Sequence, residues 1–321
     1  MKSTMLREVA ISIGMVVAIL SGLWAYTGSW PPLVVVESNS MIHSEQGEVG
    51  SIDAGDLVLV NSPRRADQIV TYVESMQEGN QFSGHQSHGM PGDVIIYQKN
   101  GGTDTPVIHR AILKAVRNET GGWDVPGTDI RAVEEISLII DYPCYPHGGN
   151  LRIDRWIPAH EGYLTTGDNE KSNGCRLDQL RATDRNASDQ YIRSQGLKDQ
   201  DGNPVLAVKD EWVIGVASTE IPWLGSIKLL TTGAWPAVPN QSWTKLSMLI
   251  GVILVAPVIL DAIRGRSKES GKQYGDEDQG EDEASAEPKA DAVNVEANSI
   301  GHEFPASSSP ADDSHLGDTQ M

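Results

Sequence analysis

Two long apolar segments stand out along the chain, one near the N-terminus and one near residue 250. The first covers 8–27 and the second covers 245–263, and each is close to the ~20 residues that cross a bilayer as a helix. Trp24 and Tyr26 lie at the end of the first segment, and aromatic side chains collect at membrane interfaces. We therefore predict two transmembrane helices. The alternatives are a cleaved signal peptide for the first segment and a buried core helix for the second.

Basic residues predict how these two helices are oriented. Lys2 and Arg7 precede the first segment, and several basic residues follow the second, from Arg264 onward. Because positively charged residues stay on the cytoplasmic side of a membrane, we expect the N-terminal segment 1–7 and the region after the second helix to be cytoplasmic. Residues 28–240 would then lie outside the cytoplasm, in a cell-membrane protein with two spans.

Between the apolar segments, short runs of β-forming residues alternate with turns. These runs fall at 33–37, 50–61, 91–97, 107–113, 162–166 and 208–216. A helix-like stretch covers 65–78, and residues 114–160 are a predicted insertion with short strands of its own. The pattern predicts a mainly β domain over 28–240, either a barrel or packed, coiled sheets.

The chain is acidic, with 44 Asp and Glu residues against 25 Lys and Arg residues and a net charge of −19. This charge argues against a nucleic-acid partner, which requires a basic face. Much of the excess lies in 264–321, a polar region with few apolar residues that we predict to be disordered. No paired His and Cys spacing indicates a metal site, and we expect no cofactor. Cys144 and Cys175 lie in the outer region and are either bonded or two free thiols.

Candidate chemistry lies at a strand end that follows the first apolar segment closely. The run 33–37 leads directly into Ser38 and Ser40. A serine hydroxyl becomes an effective nucleophile only with a base within hydrogen-bond reach. On a regular strand both hydroxyls would point to the same side, so Ser40 could attack a carbonyl while Ser38 and the Ser40 backbone N–H stabilise the oxyanion. The alternative is an ordinary serine-rich strand end.

His109 is the best-placed base, because it lies inside an apolar run, between Ile108 and Arg110. The competing interpretation is a core histidine that is bonded to a backbone carbonyl. Four further outer histidines lie in loop-like stretches, where we predict surface positions for three and a structural role for the last: His43, His85, His88 and His147.

Two aspartates could orient a cationic histidine, as a carboxylate does in serine hydrolases. Asp168 lies in a Gly-Asp-Asn turn that follows a strand, and Asp178 lies in a polar stretch further along. From the residues alone, either could be an ordinary loop aspartate, since Asp and Asn commonly bond their own backbone in turns.

Taken in order, these motifs resemble type I signal peptidases, and in particular their archaeal and endoplasmic-reticulum branch. In that branch a histidine followed by arginine stands where the bacterial enzymes have a catalytic lysine. The resemblance covers roughly residues 8–230 and rests on the apolar N-terminal segment followed by Glu37-Ser38-Asn39-Ser40-Met41, Gly55-Asp56-Leu57-Val58, Gly92-Asp93-Val94-Ile95, His109-Arg110 and Gly167-Asp168-Asn169.

The resemblance implies a signal-peptidase-like catalytic domain with defined roles for five side chains. Ser40 would be the nucleophile, His109 the general base and Ser38 an oxyanion donor. The further aspartate that this branch requires falls by position on Asp178, with Asp168 as the other acid. The chain departs from the family in three respects: Asn39 in place of glycine, His43 in place of proline, and a longer spacing between the two aspartates.

We therefore expect a membrane-anchored serine endopeptidase that removes signal peptides from secretory preproteins, after small residues at positions −1 and −3. Its expected partners are those preproteins and the lipid bilayer, and the protein translocation machinery is a candidate. One alternative is a membrane serine peptidase with a narrow specificity for surface-protein precursors. Another is a non-catalytic, membrane-anchored subunit whose β domain binds other proteins.

Overall fold

The computed structural model describes residues 2–43, 50–66, 68–144, 150–179 and 196–273. The chain divides into two compact units, residues 1–260 and residues 261–321. The first unit holds every strand named below, and the second is described as far as Gln273, where its helix ends. His147 and the predicted disordered tail beyond residue 273 lie outside the described residues.

The first unit is built mainly from antiparallel β-strands, which confirms the predicted mainly β architecture. In chain order the strands are β1 (Leu33–Val35), β2 (Leu57–Asn61), β3 (Gln86–Ser87), β4 (Met90–Pro91), β5 (Val94–Tyr97), β6 (Val107–Arg117), β7 (Trp123–Asp124), β8 (Ile136–Asp141), β9 (Asn150–Trp156), β10 (Gly162–Thr166) and β11 (Val213–Ile221). The largest sheet has the order β1-β2-β11-β5-β6-β10, with β7 paired to β6. Strands β3 and β4 form one separate hairpin, and β8 and β9 form another.

Among the strands that the structure describes, β1 pairs with β2 alone and forms an edge of the largest sheet. The register places Val34 opposite Val58, and the Val36 N–H donates to the Asp56 carbonyl at 3.0 Å. Backbone groups alternate in direction along an antiparallel strand. Those of Leu33 and Val35 therefore point away from β2, toward the open edge.

Both Gly-Asp turns use the aspartate side chain to join distant backbone segments. Gly55 and Gly92 adopt positive φ angles of 100° and 78°, which glycine accepts without steric cost. The Asp56 carboxylate accepts the Trp223 N–H at 2.9 Å, and the Asp93 carboxylate accepts the Val70 N–H at 2.8 Å. Each turn thereby fixes the start of a central strand, β2 or β5.

The region predicted as an insertion, 114–160, contains the end of β6 and the strands β7, β8 and β9. Trp123, Ile136 and Leu151 are almost fully buried in a hydrophobic cluster that also includes Ile112 of β6 and Leu164 of β10. A disulfide joins Cys144, just after β8, to Cys175, with the two Cα atoms 5.0 Å apart. The pairing that the sequence left open is therefore present, and it attaches the insertion to the loop that precedes Asp178.

Two long apolar helices flank the strands in sequence. Helix α1 covers Lys2–Thr27, and Met5–Thr27 is long and apolar enough to span a bilayer. The same holds for Asn240–Leu260, the first part of the last helix, Asn240–Gln273. That helix continues past the predicted end at residue 263, so that residues 264–273, predicted as part of the disordered region, are helical. Six of these ten residues are Lys, Arg, Glu or Gln, which favour helix.

The remaining helices are short: α2 (Tyr72–Met76), α3 (Glu170–Asn173) and α4 (Ser226–Thr232), so that the last apolar helix is α5. The predicted helix over 65–78 is wrong in length. It begins only after Thr71, which forms a capping box with Glu74, because the bond from the Val70 N–H to Asp93 holds the preceding chain extended. The run predicted at 208–216 also differs, because a 3₁₀ turn over Asp210–Trp212 delays the start of β11.

Candidate active site

A cavity of about 810 Å³ opens between the edge strand β1 and the start of β6. Its walls are largely apolar and include Val34 and Ile108. The polar groups on its wall include Ser38, Ser40 and His109. The structure therefore brings the serines at the end of β1 and the histidine of β6 to one cavity, although 69 positions separate Ser40 from His109 in the sequence.

The serine turn is held in place by its backbone and by its apolar neighbours. Val36 and Met41, on either side of the serines, are 2% and 1% exposed and anchor the turn in the core. Asn169 donates its backbone N–H to the Ser40 carbonyl at 2.9 Å and its side-chain amide to the Asn39 carbonyl at 2.7 Å. The asparagine of the Gly-Asp-Asn turn thus binds the serine turn through two hydrogen bonds.

The two serine hydroxyls are neighbours, although β1 ends at Val35 and both serines lie beyond it rather than on a regular strand. Ser38 Oγ and Ser40 Oγ are 3.2 Å apart and share a hydrogen bond. Within the described residues, Ser40 Oγ bonds to Ser38 and makes no hydrogen bond to His109. Catalytic hydrogen bonds are often long in the absence of substrate and tighten when substrate binds. The arrangement would let Ser38 donate to an oxygen held beside Ser40.

His109 is nearly buried, and its ring is oriented by a carboxylate. Its Nδ1 lies 2.7 Å from Asp178 Oδ2, which leaves Nε2 as the ring nitrogen that can exchange a proton with a substrate or nucleophile. Gly167 passes close to this ring. A Cβ atom there would lie 3.3 Å from His109 Nε2 and would collide with the Ser40 carbonyl oxygen. Only glycine therefore allows the Ser40 backbone and the His109 ring to approach the same point.

The pKa of His109 is raised above its ordinary value by the balance of two opposing causes. Burial is the largest and acts to lower the pKa of the ring, because it penalises the cation. The charge and the hydrogen bond of Asp178, with a contribution from Asp168, outweigh it. The histidine is therefore a stronger base than a solvated imidazole.

Asp178 is itself fixed by hydrogen bonds other than the one to His109. Tyr97 donates its hydroxyl to Asp178 Oδ2 at 3.0 Å, and Thr165 donates its hydroxyl to the same oxygen at 2.6 Å. The Asp178 N–H donates to the Thr165 carbonyl at 2.8 Å. Three strands, β5, β6 and β10, thus supply the groups that surround this carboxylate.

Asp168 bonds to Arg110 rather than to His109. Arg110 Nε donates to Asp168 Oδ1 at 2.9 Å, the second guanidinium bond goes to Asp168 Oδ2 at 2.5 Å, and neither side chain is more than 1% exposed. Tyr142, which directly follows β8 within the insertion, donates its hydroxyl to Asp168 Oδ1 at 2.7 Å. Of the two candidate aspartates, Asp178 therefore lies against the histidine, and Asp168 lies in a neighbouring buried ion pair.

Arg110 Nη1 also holds a loop that carries no candidate residue. It lies within hydrogen-bond distance of four carbonyl oxygens in the β3–β4 hairpin and the turn that follows: those of Ser87, Met90, Pro91 and Gly92. Sequence reasoning did not foresee this role for Arg110, nor the roles of Tyr97 and Thr165 beside Asp178. The sequence does show an arginine inside an apolar strand and a tyrosine at the end of another. Neither pattern predicts which group the side chain bonds to.

Of the three histidines that were predicted to lie at the surface, one is buried. The side chain of His88 is 2% exposed, and its Nδ1 lies 2.9 Å from Glu220 Oε2. Burial acts to raise the pKa of Glu220, but hydrogen bonds from His88 and from the Gly50 N–H lower it below its usual value. The prediction for His88 was wrong because the Glu220 partner on β11 is distant in sequence. His43 is exposed, and the His85 side chain is partly exposed beside Asp93.

No group of three or more His, Cys, Asp or Glu side chains in the described part of the chain is arranged to hold a metal ion. A scan against models of known protein families gives no match, and a search of curated proteins gives no significant match. The candidate roles at this site therefore rest on the chain's own geometry and on the order of its motifs.

The two aspartates should respond differently to neutralisation. We expect Asp168→Asn to lower the free energy of unfolding by roughly 3–5 kcal/mol, because it leaves a buried Arg110 that cannot lose its charge. Asp178→Asn should cost less, because His109 can release its proton and remain buried as a neutral ring. Thermal melting in detergent, with wild type as the reference, measures both. Equal losses of stability would contradict this separation of roles.

Proposed function

We propose that this protein is a membrane-anchored serine endopeptidase of the signal-peptidase type, which removes N-terminal signal peptides from secretory preproteins. The observation that carries the proposal is the His109–Asp178 pair, with Nδ1 and Oδ2 2.7 Å apart, on the wall of the cavity that also holds Ser40. The order of the motifs along the chain adds to it, since each motif of the resembled family falls at this cavity or supports it.

In the proposed reaction, Ser40 Oγ attacks the carbonyl carbon of the scissile peptide bond, and His109 Nε2 takes the hydroxyl proton. The Asp178 carboxylate keeps the ring oriented and stabilises the imidazolium. The tetrahedral oxyanion accepts hydrogen bonds from Ser38 Oγ and from the Ser40 N–H. His109 then protonates the leaving amine, and the C–N bond breaks. His109 then takes a proton from water, which attacks the ester carbon, and returns this proton to Ser40 Oγ as the ester C–O bond breaks. No cofactor takes part in these steps.

The cavity suits an extended and largely apolar peptide. Leu33 and Val35 present unpaired backbone groups at the free edge of β1, so a peptide can add there as a further strand. The walls near Val34 and Ile108 are apolar, which favours apolar side chains next to the scissile bond. A signal peptide offers such a segment, with small residues at positions −1 and −3.

The two apolar helices would hold the cavity beside the membrane. In this proposal Met5–Thr27 and Asn240–Leu260 span the bilayer, both termini are cytoplasmic, and the β domain is extracytoplasmic. The Arg65 side chain donates to the Tyr26 carbonyl at 2.6 Å, which joins the end of α1 to the turn after β2. Preproteins would reach the cavity from the membrane, with the translocation machinery as their source.

Cleavage of a synthetic preprotein by the purified protein in detergent tests the proposal. Ser40→Ala and His109→Ala should each remove almost all activity, and the double variant should be scarcely worse, because residues that act as a unit are not additive. Ser38→Ala should lower kcat by roughly 10²–10³-fold with little change in KM, as expected for the loss of one oxyanion donor. Melting curves serve as the control for folding.

Two results would count against the proposal. One is a folded Ser40→Ala variant that cleaves the preprotein as fast as wild type. The other is a His109→Ala variant that melts normally and retains activity near the wild-type level. A wild-type protein that binds preproteins without cleaving them would favour a non-catalytic membrane subunit.

The pH dependence of cleavage follows from the raised pKa of His109. Because the neutral ring is the base, kcat/KM should rise with pH through an apparent pKa above the usual value of about 6.5. Asp178→Asn removes the charge that raises the pKa, so its rising limb should shift to lower pH while the maximal rate falls by roughly 10²–10⁴-fold. Rate profiles from pH 5 to 9 measure both effects. A limb that does not move, or that moves to higher pH, would refute the pairing.

A further inference from the structure

Asn39 lies between the two serines, and its side-chain amide joins two segments that are distant in sequence. Its Nδ2 donates to the Ala237 carbonyl at 2.8 Å, and its Oδ1 accepts the Ala54 N–H at 3.3 Å. The side chain is therefore used at both ends, as donor and as acceptor. In the resembled family this position is usually glycine, which could make neither bond.

Ala237 belongs to the segment that leads into the apolar helix α5. It ends a 3₁₀ turn over Trp235–Ala237, and α5 begins at Asn240. The next residue, Val238, is 5% exposed and packs near Gly55, where an added Cβ would lie 3.3 Å from the valine. The segment that enters α5 therefore packs against the first Gly-Asp turn, and the bond from Asn39 to Ala237 connects it to the serine turn.

The backbone of the same turn is held from the other side by the loop that carries the aspartates. Asn169 bonds to the carbonyl oxygens of both Asn39 and Ser40, at 2.7 and 2.9 Å. The serine turn thus lies between two supports, the Gly-Asp-Asn turn and the segment that enters α5. With either support removed, the turn would be held on one side alone.

We propose that Asn39 is a positioning residue, which fixes Ser40 against the segment that enters α5 and so sets the distance from Ser40 Oγ to His109. The inference rests on the proposed peptidase function and adds a residue to it. Its consequence is that the place of the nucleophile depends on the place of the last apolar helix. Asn39 itself touches neither the substrate bond nor the proton that is transferred.

Loss of this support should affect the chemical step and leave substrate binding nearly unchanged. A misplacement of about 1 Å in a catalytic group can cost 10²-fold in rate. We therefore expect Asn39→Gly to lower kcat by roughly 10- to 100-fold. The free edge of β1 and the apolar walls remain, so KM should stay within about threefold of wild type. Asn39→Asp keeps the acceptor for the Ala54 N–H, loses the donor to Ala237, and should show a similar loss of kcat.

Asn80 provides a matched control. Its Nδ2 donates to the Glu74 carbonyl at 2.7 Å, and its Oδ1 accepts the Phe82 N–H at 2.6 Å. The same pair of bonds is thus present in a loop that does not line the cavity. Asn80→Gly should lower the melting temperature by an amount similar to Asn39→Gly and leave kcat within about twofold of wild type.

The experiment measures kcat and KM for wild type, Ser40→Ala and the three asparagine variants, at a temperature where all are folded by melting curves. A fall in kcat for both Asn39 variants, with KM and Asn80→Gly near wild type, supports the proposal. Should Asn39→Gly fail to fold, Asn39→Asp decides by the same criterion.

Values of kcat within twofold of wild type for the folded Asn39 variants, while Ser40→Ala is inactive, would overturn the positioning role and leave the peptidase function standing. An equal loss of kcat in Asn80→Gly would overturn it too, since the effect would then be one of stability. Full activity of Ser40→Ala would instead overturn the peptidase function, and the role of Asn39 with it.

Discussion

Two adjacent side chains of β6, a histidine and an arginine, each bond to a carboxylate from one loop, and the surrounding structure depends on this constraint. His109 and Arg110 are adjacent on β6, so their side chains point to opposite faces of the sheet. Asp178 meets the first and Asp168 meets the second. The loop that carries both aspartates must therefore wrap around the edge of the sheet at β10, and its course is fixed at two points.

Several parts of the surrounding structure contact the loop between Asp168 and Asp178. Tyr142, just after β8 in the insertion, bonds to Asp168, Asn173 donates to the Pro143 carbonyl at 2.9 Å, and the disulfide joins Cys144 to Cys175. The insertion thus holds the loop between the two aspartates. A base that must keep a fixed orientation gains from such support, because a looser carboxylate would orient the histidine less well.

The sequence alone predicted the mainly β architecture, the two apolar helices and the residues that meet at the cavity. Those features follow from local patterns: apolar runs, Gly-Asp turns, and a histidine placed inside a strand. Which aspartate lies against His109 could not be predicted, because both lie in polar stretches and the choice depends on the path of the loop. The buried position of His88 was missed for a similar reason, since Glu220 approaches it from β11.

The helix predicted over 65–78 was also wrong because of a partner that is distant in sequence. Its residues favour a helix, but the Asp93 carboxylate takes the Val70 N–H and keeps that part of the chain extended. The Gly-Asp motif was visible in the sequence, whereas the partner of its aspartate was not. Asn39 was noticed only as a departure from a familiar motif. Its bonds to Ala54 and Ala237 became evident once the chain segments were placed.

In the proposed mechanism Ser40 is the nucleophile and His109 is its general base. An experimental structure of the protein with a bound peptide aldehyde, ending in a small residue, tests it most directly. We expect a covalent bond from Ser40 Oγ to the aldehyde carbon. His109 Nε2 should lie about 3 Å from Ser40 Oγ, within hydrogen-bond reach. An aldehyde bound elsewhere, or a His109 ring turned away from a modified Ser40, would contradict it.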